Sequence, residues 1–190
     1  MAVDPSMVTA AKWDDNVQKT SSPLTDKLRK LTLLSIGVIF IQLLFGAIMR
    51  HEEAGLAIST FPLAENGSLI PDFTSFGVAI HFTHRLWAMV VGTVVIMTCI
   101  TGLKAAKEHR AFRAASIAGI LLVLTQITLG MVTIWSAKEP NWTSLHVVGG
   151  AAVLASQFVL AMRVRHETKQ HALQGEKASR SELVEAGANA

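Results

Sequence analysis

Two histidines lie inside apolar runs of the sequence, where an ionisable side chain is costly and by default marks a function. His84 lies in the run from about Phe76 to Leu103, and His146 lies near the start of the run from about Leu145 to Met162. If both runs are helices that cross a membrane in the same direction, the two imidazoles reach similar depths. Two imidazoles that face each other across a helical bundle can be the axial ligands of haem iron. The competing interpretation is that each histidine hydrogen-bonds a neighbouring helix; the matched pair favours haem.

Two arginines accompany this pair. Arg85 directly follows His84, and Arg50 lies at the outer end of the first apolar run. A second charge inside a span needs a buried anion, and the planar guanidinium group suits carboxylates such as the two propionates of haem. We therefore predict that Arg50 and Arg85 bind the cofactor. For Arg50 the alternative is that it extends to the lipid headgroups.

Further titratable side chains cluster at the same end of the chain's spans. His81 lies three residues before His84, on nearly the same face of a helix, and could be an alternative ligand, a hydrogen-bond partner of the haem or a proton relay. His51, Glu52 and Glu53 follow the first apolar run. We predict that these four residues handle protons, although Glu52 and Glu53 could equally be solvated loop charges.

The elements that position these residues are four apolar runs. Hydrophobic residues make up 51% of the 190 residues and charged residues 16%, with a mean hydropathy of +0.41. This is too apolar for an ordinary soluble domain. Each run is close to the roughly 20 residues that cross a bilayer as a helix. The runs extend from about Leu28 to Met49, Phe76 to Leu103, Ala114 to Trp135 and Leu145 to Met162.

The pattern predicts an all-α integral membrane protein, a four-transmembrane-helix bundle. We divide it into an N-terminal segment (1–27), a membrane domain (28–165) with a long outer loop (51–75), and a C-terminal tail (166–190). The tail lacks an apolar face and is expected to be a frayed helix or disordered. The first run follows a polar segment and lacks a small-residue cleavage site, so we interpret it as a retained anchor rather than a signal peptide.

Lysine and arginine set the predicted orientation, because they concentrate in cytoplasmic segments near span ends. Such residues are frequent before the first span, between the second and third, and after the fourth, whereas the other two loops hold Arg50 and Lys138 among five carboxylates. Both termini are therefore expected in the cytoplasm of a prokaryotic cell, with the protein in its cytoplasmic membrane. The sequence pI of about 9.2 is explained by contact with anionic lipid, without nucleic acid as a partner. The single cysteine, Cys99, excludes a disulfide within one chain and is interpreted as an apolar filler.

The sequence also contains an internal repeat. Gln42 and Gly46 in the first span match Gln126 and Gly130 in the third, and each pair is followed by a span with one of the two histidines near its start. The repeat predicts two similar helix hairpins that pack into one bundle, with small residues at the contacts.

Five segments resemble the haem A synthase family. They are GAIMRHEEAGLA, FPLAENGSLIP, HFTHRLWAMVVG, LTQITLGMV and SLHVVGGA, and the likeness covers about Ile41 to Ala155. The resemblance implies a metal site in which His84 and His146 ligate haem iron, with haem b as cofactor or haem O as substrate. It further implies oxidation of a methyl group of haem O to the formyl group of haem A, for cytochrome oxidase assembly. Membrane lipid, haem O, haem A, haem O synthase and a terminal oxidase are the implied partners.

The chain departs from the family pattern in three ways. Members typically have eight spans in two similar halves, so this chain resembles one half-size unit and is expected to form a homodimer. Many members have two cysteines in the first outer loop, where this chain has Ile58 and Ala64. A glutamate linked to catalysis commonly stands where this chain has His81. The alternatives are therefore a non-catalytic bis-histidine haem b protein for electron transfer or haem delivery, and a four-helix assembly scaffold that leaves His84 and His146 unexplained.

Overall fold

The computed structural model describes residues 23–65, 67–107 and 110–188, with side chains described up to residue 177. These ranges hold four long helices and no strand, and all four helices are long and apolar enough to cross a membrane. The predicted all-α architecture of four spans is thereby confirmed. The helices are α1 (Pro23–His51), α2 (Phe76–Ala105), α3 (Ala111–Trp135) and α4 (Pro140–Ala188), with a short 3-10 helix (Ala54–Leu56) after α1.

The helix starts follow from local chemistry. Proline, which lacks the N–H that would be unpaired in a first turn, opens both α1 and α4. Ser75 caps α2, because its hydroxyl accepts a hydrogen bond from the Val78 amide at 3.3 Å. The Glu139 carboxylate accepts from the amides of Asn141 and Trp142, both at 3.2 Å, at the start of α4.

The four helices pack in a ring in chain order. Each of α1 and α3 packs against both α2 and α4, so α2 and α4 stand diagonally across the bundle. Cross-helix contacts run in opposite directions along successive helices: Gln42 meets His84, whereas Ser35 meets Thr98 farther along α2. Neighbouring helices are therefore antiparallel, and α2 and α4 run in the same direction. We call the end that carries loop 51–75 the outer end.

The inner half of the bundle is tightly packed. Two clusters of buried side chains fill it, and a 2.7 Å hydrogen bond between the hydroxyls of Ser35 and Thr98 joins α1 to α2 there. One cluster consists of Val38, Ile39, Val91, Val95, Cys99, Val123 and Val153, and the other of Leu28, Ala105, Phe112, Ala115, Leu160 and Val164.

The outer half is packed differently. No residue in the stretches 40–51, 82–90, 124–135 and 140–149 is fully buried, although these stretches face one another at the same height. Farther out, Ile80 and His81 on α2 are buried again, beneath the loop residues Ala54, Ile58 and Ala64. A layer of partly buried side chains thus lies between the dense inner core and the loop that covers the outer end.

The fourth helix is longer than its apolar run. The apolar run predicts that the span ends near Met162 and that the tail is a frayed helix or disordered. In the structure α4 continues to Ala188. Good helix formers such as Ala, Glu, Gln and Lys dominate this stretch, which is consistent with its helical state. Residues 1–22 of the N-terminal segment lie outside the described residues, and α1 begins at Pro23.

Candidate haem site

The layer of partly buried side chains contains His84 and His146. His84 lies eight residues after the start of α2, and His146 lies six residues after the start of α4. Both are half-buried, and their imidazoles are close enough to interact electrostatically. Because α2 and α4 stand diagonally and run in the same direction, the two rings enter one layer from opposite sides.

A glutamine on the neighbouring helix holds His84. The side-chain amide nitrogen of Gln42 lies 3.1 Å from the main-chain carbonyl oxygen of His84, to which it donates. The same nitrogen lies 3.1 Å from Nε2 and 3.3 Å from Nδ1 of the His84 ring. A neutral imidazole has one acceptor nitrogen. Gln42 therefore donates to the main-chain carbonyl oxygen of His84, and its amide nitrogen also lies against the imidazole ring.

The second hairpin repeats this arrangement at the main chain. Gln126 on α3 donates its side-chain amide to the carbonyl oxygen of His146 at 2.7 Å. Within the described residues, Nδ1 of His146 and the side-chain oxygens of Gln42 and Gln126 are buried without a hydrogen-bond partner. The repeat found in the sequence is thus a repeated contact between a glutamine and the histidine of the next helix.

The two repeated glycines make room for the rings. A Cβ atom on Gly46 would lie 3.3 Å from Cε1 of His84, and one on Gly130 would lie 3.1 Å from Cε1 of His146. Both distances are shorter than ordinary van der Waals contact between carbon atoms. Any larger residue at these positions would press on the imidazole, so the pair of glycines belongs to the site.

These residues fit a haem. Among the described residues, no three His, Cys, Asp or Glu side chains gather to hold a metal ion. The porphyrin supplies four ligands to haem iron, and the protein can supply two more. His84 and His146 could fill these two positions. An unpartnered ring nitrogen on His146 and a layer without fully buried side chains are consistent with this use.

His81 and Arg85 fasten the outer loop to α2. His81 is 2% exposed, and its Nδ1 accepts the amide of Ile58 at 3.2 Å. One guanidinium nitrogen of Arg85, Nη2, donates to the carbonyl oxygens of Ile58 and Thr60, both at 2.8 Å. The guanidinium group also lies 5.6 Å from the ring centre of Phe61. These contacts close the loop over the outer side of the layer.

The ring of His81 is committed to this fastening. Its Nε2 lies 3.1 Å from Nε of Arg85, so both ring nitrogens face donor groups. Since a neutral imidazole accepts through one nitrogen, only one of the two contacts is a full hydrogen bond at a time. The predicted roles of His81 in proton transfer and of Arg85 at a propionate stay predictions; the observed partners of both are loop atoms.

Comparison with known proteins identifies the family. The sequence model of the COX15-CtaA family, described as cytochrome oxidase assembly protein, matches residues 5–158. The chain belongs to this family. The resemblance to haem A synthases drawn from the sequence motifs is therefore confirmed.

Curated relatives carry the name haem A synthase. The chain is 31% identical over 150 residues to the one from Caulobacter sp. (strain K31), a match that covers 72% of this chain and 43% of the relative. The protein from Novosphingobium aromaticivorans is 28% identical over 160 residues, with 75% of this chain and 44% of the relative covered. That from Macrococcus caseolyticus is 26% identical over 135 residues, with 71% and 45% covered. The chain thus spans less than half the length of these relatives.

Four other predicted site residues of this COX15-CtaA family member lie at the end of α1. Arg50, His51, Glu52 and Glu53 are all exposed. Glu53 has a left-handed backbone (φ 55°) at the turn that leads into the 3-10 helix. The structure leaves these side chains exposed at the outer end of α1 and in the turn that follows it. Their assignment to propionate binding and proton handling stays a prediction.

The positions where many haem A synthases have cysteines are apolar and buried here. Ile58 is 3% exposed and Ala64 is 8% exposed, both within the outer loop. The loop is held by hydrogen bonds instead, including those of Ile58 to His81 and Arg85. A thiol function at these two positions is absent from this chain.

The sequence predicts the two histidines as site residues, but Gln42 and Gln126 stand out in it only as parts of a repeat, because an isolated glutamine in a span has many ordinary roles. The available signal was their identical distance from a glycine and their position in the span before each histidine. The structure shows why the spacing recurs, since amide and glycine contact the same histidine one helical turn apart.

Proposed function

We propose that this protein is a half-size haem A synthase, which oxidises a methyl group of haem O to the formyl group of haem A for terminal oxidase biogenesis. The observation that carries the proposal is the repeated Gln–Gly–His contact, which delivers His84 and His146 to one layer from diagonal helices. The family membership agrees with it, because the curated relatives are named haem A synthase.

The proposed oxidation assigns different roles to different groups of residues. Conversion of a methyl to a formyl group with water as the oxygen source releases four protons and four electrons (R–CH3 + H2O → R–CHO + 4 H+ + 4 e−), so the reaction also needs an external electron acceptor. When bound, a haem would supply a redox-active iron, and His84 and His146 are the residues proposed to hold it. Arg85 and Arg50 are the proposed partners of the propionates. His81, His51, Glu52 and Glu53 are the proposed acceptors of protons released at the outer end.

The proposal includes a homodimer in the prokaryotic cytoplasmic membrane, with both termini cytoplasmic. One four-helix unit offers one pair of facing histidines, whereas the eight-span pattern of the family contains two such units. Symmetric pairing of two copies is the commonest way to assemble a second unit. Haem O synthase, as the source of substrate, and a terminal oxidase, as the recipient of haem A, are the proposed partners. An active preparation that is strictly monomeric in native mass spectrometry would refute the dimer.

A second function is favoured by the polar groups around His84. The position of the family's glutamate is taken by His81, which is bound to the loop, and Glu52 and Glu53 are exposed. A bis-histidine haem b protein that transfers electrons or delivers haem needs the two axial ligands and no carboxylate. This alternative keeps the same haem site and omits the oxidation.

The two functions are separated by the haem that the protein contains. The purified protein would be produced in cells that make haem O but lack another haem A synthase, and its extracted haem would be analysed by liquid chromatography and mass spectrometry. Haem A in the membranes or the protein, and its absence with a His84→Ala variant, is the expected result. Haem b alone would contradict the enzyme and favour the carrier.

A further inference from the structure

The strongest unassigned feature of the outer half is the pair of half-buried glutamines, Gln42 and Gln126, beside the histidines. Neither Gln42 nor Gln126 is needed for helix formation, and a buried amide in a membrane span is costly unless its groups are paired. Each uses its amide nitrogen on the same atom of an equivalent residue, the main-chain carbonyl oxygen of a histidine. Because the same contact occurs once in each hairpin, we expect the two glutamines to have the same role.

That role follows from the contact's position. A histidine carbonyl inside a helix already accepts a hydrogen bond from the amide four residues later, so a second donor from the adjacent helix links the two helices at that height. The link fixes the rotation of α2 against α1 and of α4 against α3 at the histidine itself. The direction in which each imidazole leaves its helix is thereby set by a polar contact.

The glycines complete the device. Gly46 and Gly130 lie one turn beyond the glutamines and contact Cε1 of the same two rings. Gln126 also packs closely on Gly149 and Gly150 of α4, where added Cβ atoms would press on its amide. The glutamine amide thus binds the main chain of each histidine, and the nearby glycine limits the tilt of the imidazole ring.

We infer that Gln42 and Gln126 are positioning residues of the haem site, which orient His84 and His146 as axial ligands by binding their main-chain carbonyls. This inference rests on the proposed haem binding but does not depend on catalysis. Groups that orient a metal ligand affect metal affinity by about 10- to 100-fold when they are removed.

The two glutamines differ in one respect that the test can use. The amide of Gln42 also lies within 3.3 Å of both ring nitrogens of His84, whereas the Nδ1 atom of His146 has no partner among the described residues. Gln42 therefore contacts the ring as well as the backbone. Loss of Gln42 is expected to change both ring orientation and ring electronics, and loss of Gln126 to change orientation alone.

The experiment compares Gln42→Met and Gln126→Met with Gln157→Met as the matched control. Gln157 is a third glutamine of the bundle, 0% exposed, with its amide nitrogen near Sγ of Cys99 in the inner half. Each full-length protein would be purified in detergent and titrated with ferric haem b. Haem affinity, the low-spin electron paramagnetic resonance spectrum and the midpoint potential would be measured.

The expected result is a loss of haem affinity of about 10- to 100-fold in Gln42→Met and Gln126→Met. Their low-spin resonance positions should shift, because these report the relative orientation of the two imidazole planes, and only Gln42→Met should also shift the midpoint potential. Gln157→Met should keep the wild-type affinity and spectrum. Gln42→Asn and Gln126→Asn, which keep an amide but shorten it by one methylene, should reproduce the loss if the Met variants fail to fold.

Two outcomes would overturn the inference, and they are distinguishable. Wild-type haem affinity and resonance positions in the Met or Asn variants of both glutamines would refute the positioning role and leave the haem site intact. Failure of the wild-type protein to form a low-spin bis-histidine complex would refute the proposed haem binding itself, and the inference with it.

Discussion

The rings of the two histidines differ in what they contact. The amide nitrogen of Gln42 lies within 3.3 Å of both ring nitrogens of His84, whereas Nδ1 of His146 is buried without a partner in the described part of the chain. The contact of Gln126 is to the main-chain carbonyl of His146. The two histidines are therefore equivalent in position but not in local contacts.

The contact of each glycine with an imidazole leads to the first prediction. Gly46→Ala would place a methyl group 3.3 Å from Cε1 of His84, and Gly130→Ala would place one 3.1 Å from Cε1 of His146. Overpacking of this kind costs roughly 1–3 kcal/mol or displaces the ring. We expect both variants to bind less haem per chain and to show an altered low-spin spectrum.

Gly37 provides the control for these variants. It lies in α1, and no atom lies within 4 Å of the Cβ that Gly37→Ala would add. Alanine there should preserve the haem content and should not reduce thermal stability, since glycine in a helix interior is less favourable than alanine by about 1 kcal/mol. Unchanged haem spectra in Gly130→Ala would show that the glycines do not limit the rings.

At the scale of elements, the outer loop is joined to α2 by two side chains that the sequence linked to haem. Arg85 holds two carbonyl oxygens of the loop through one nitrogen, and His81 holds the Ile58 amide. The loop also packs through Phe61 against Trp135 of α3, with ring centres 6.5 Å apart. The loop therefore closes the outer end by contacts to at least two helices.

Removal of Arg85 should loosen this closure. In Arg85→Gln the two bonds to Ile58 and Thr60 are lost or weakened, and hydrogen bonds to charged groups contribute about 1.5–3 kcal/mol each. Amide hydrogen exchange at residues 58–61 should rise by roughly an order of magnitude or more. Arg50→Gln is the matched control, because Arg50 is exposed, and it should leave the exchange of the loop unchanged. Equal exchange in wild type and Arg85→Gln would show that the loop is held by other contacts.

The four helices, their approximate bounds and the facing histidines could be predicted because hydropathy and spacing determine them directly. The contacts of the loop could not, since they depend on how Ile58 and Thr60 fold back toward Arg85, some 25 residues away in sequence. The contact of Gln42 could not be predicted either, because the repeated spacing of glutamine and glycine does not show which atom on the next helix the amide binds. The length of α4 was missed because an apolar run marks where a helix crosses the membrane, and not where a helix of good formers ends.

At the scale of the whole molecule, packing and charge vary along the bundle axis. Dense clusters fill the inner half, and basic residues flank that end, whereas the outer half holds the histidines and the loop. A haem in the outer layer would lie near the membrane face opposite to the basic segments. The orientation of the bundle therefore determines the side of the membrane from which water and protons reach the site.

Cysteine labelling tests this orientation. The single native cysteine, Cys99, is 0% exposed and gives little background for a membrane-impermeant maleimide. Leu69→Cys, at a loop position that is 76% exposed, should be labelled in intact cells. Lys107→Cys, at the exposed turn between α2 and α3, should be labelled only after the membrane is opened. Labelling of Lys107→Cys in intact cells would reverse the proposed topology.

The most direct test of the account is the spectrum of the reduced, haem-supplemented protein with each histidine replaced in turn. His84→Ala and His146→Ala should each lose the low-spin bis-histidine spectrum, because an axial position of the iron is left without its ligand. His81→Ala should keep it, because the ring of His81 is bound to the loop, almost one helical turn outward of His84. An unaltered low-spin spectrum in His146→Ala, together with its loss in His81→Ala, would contradict the account and make His81 a ligand.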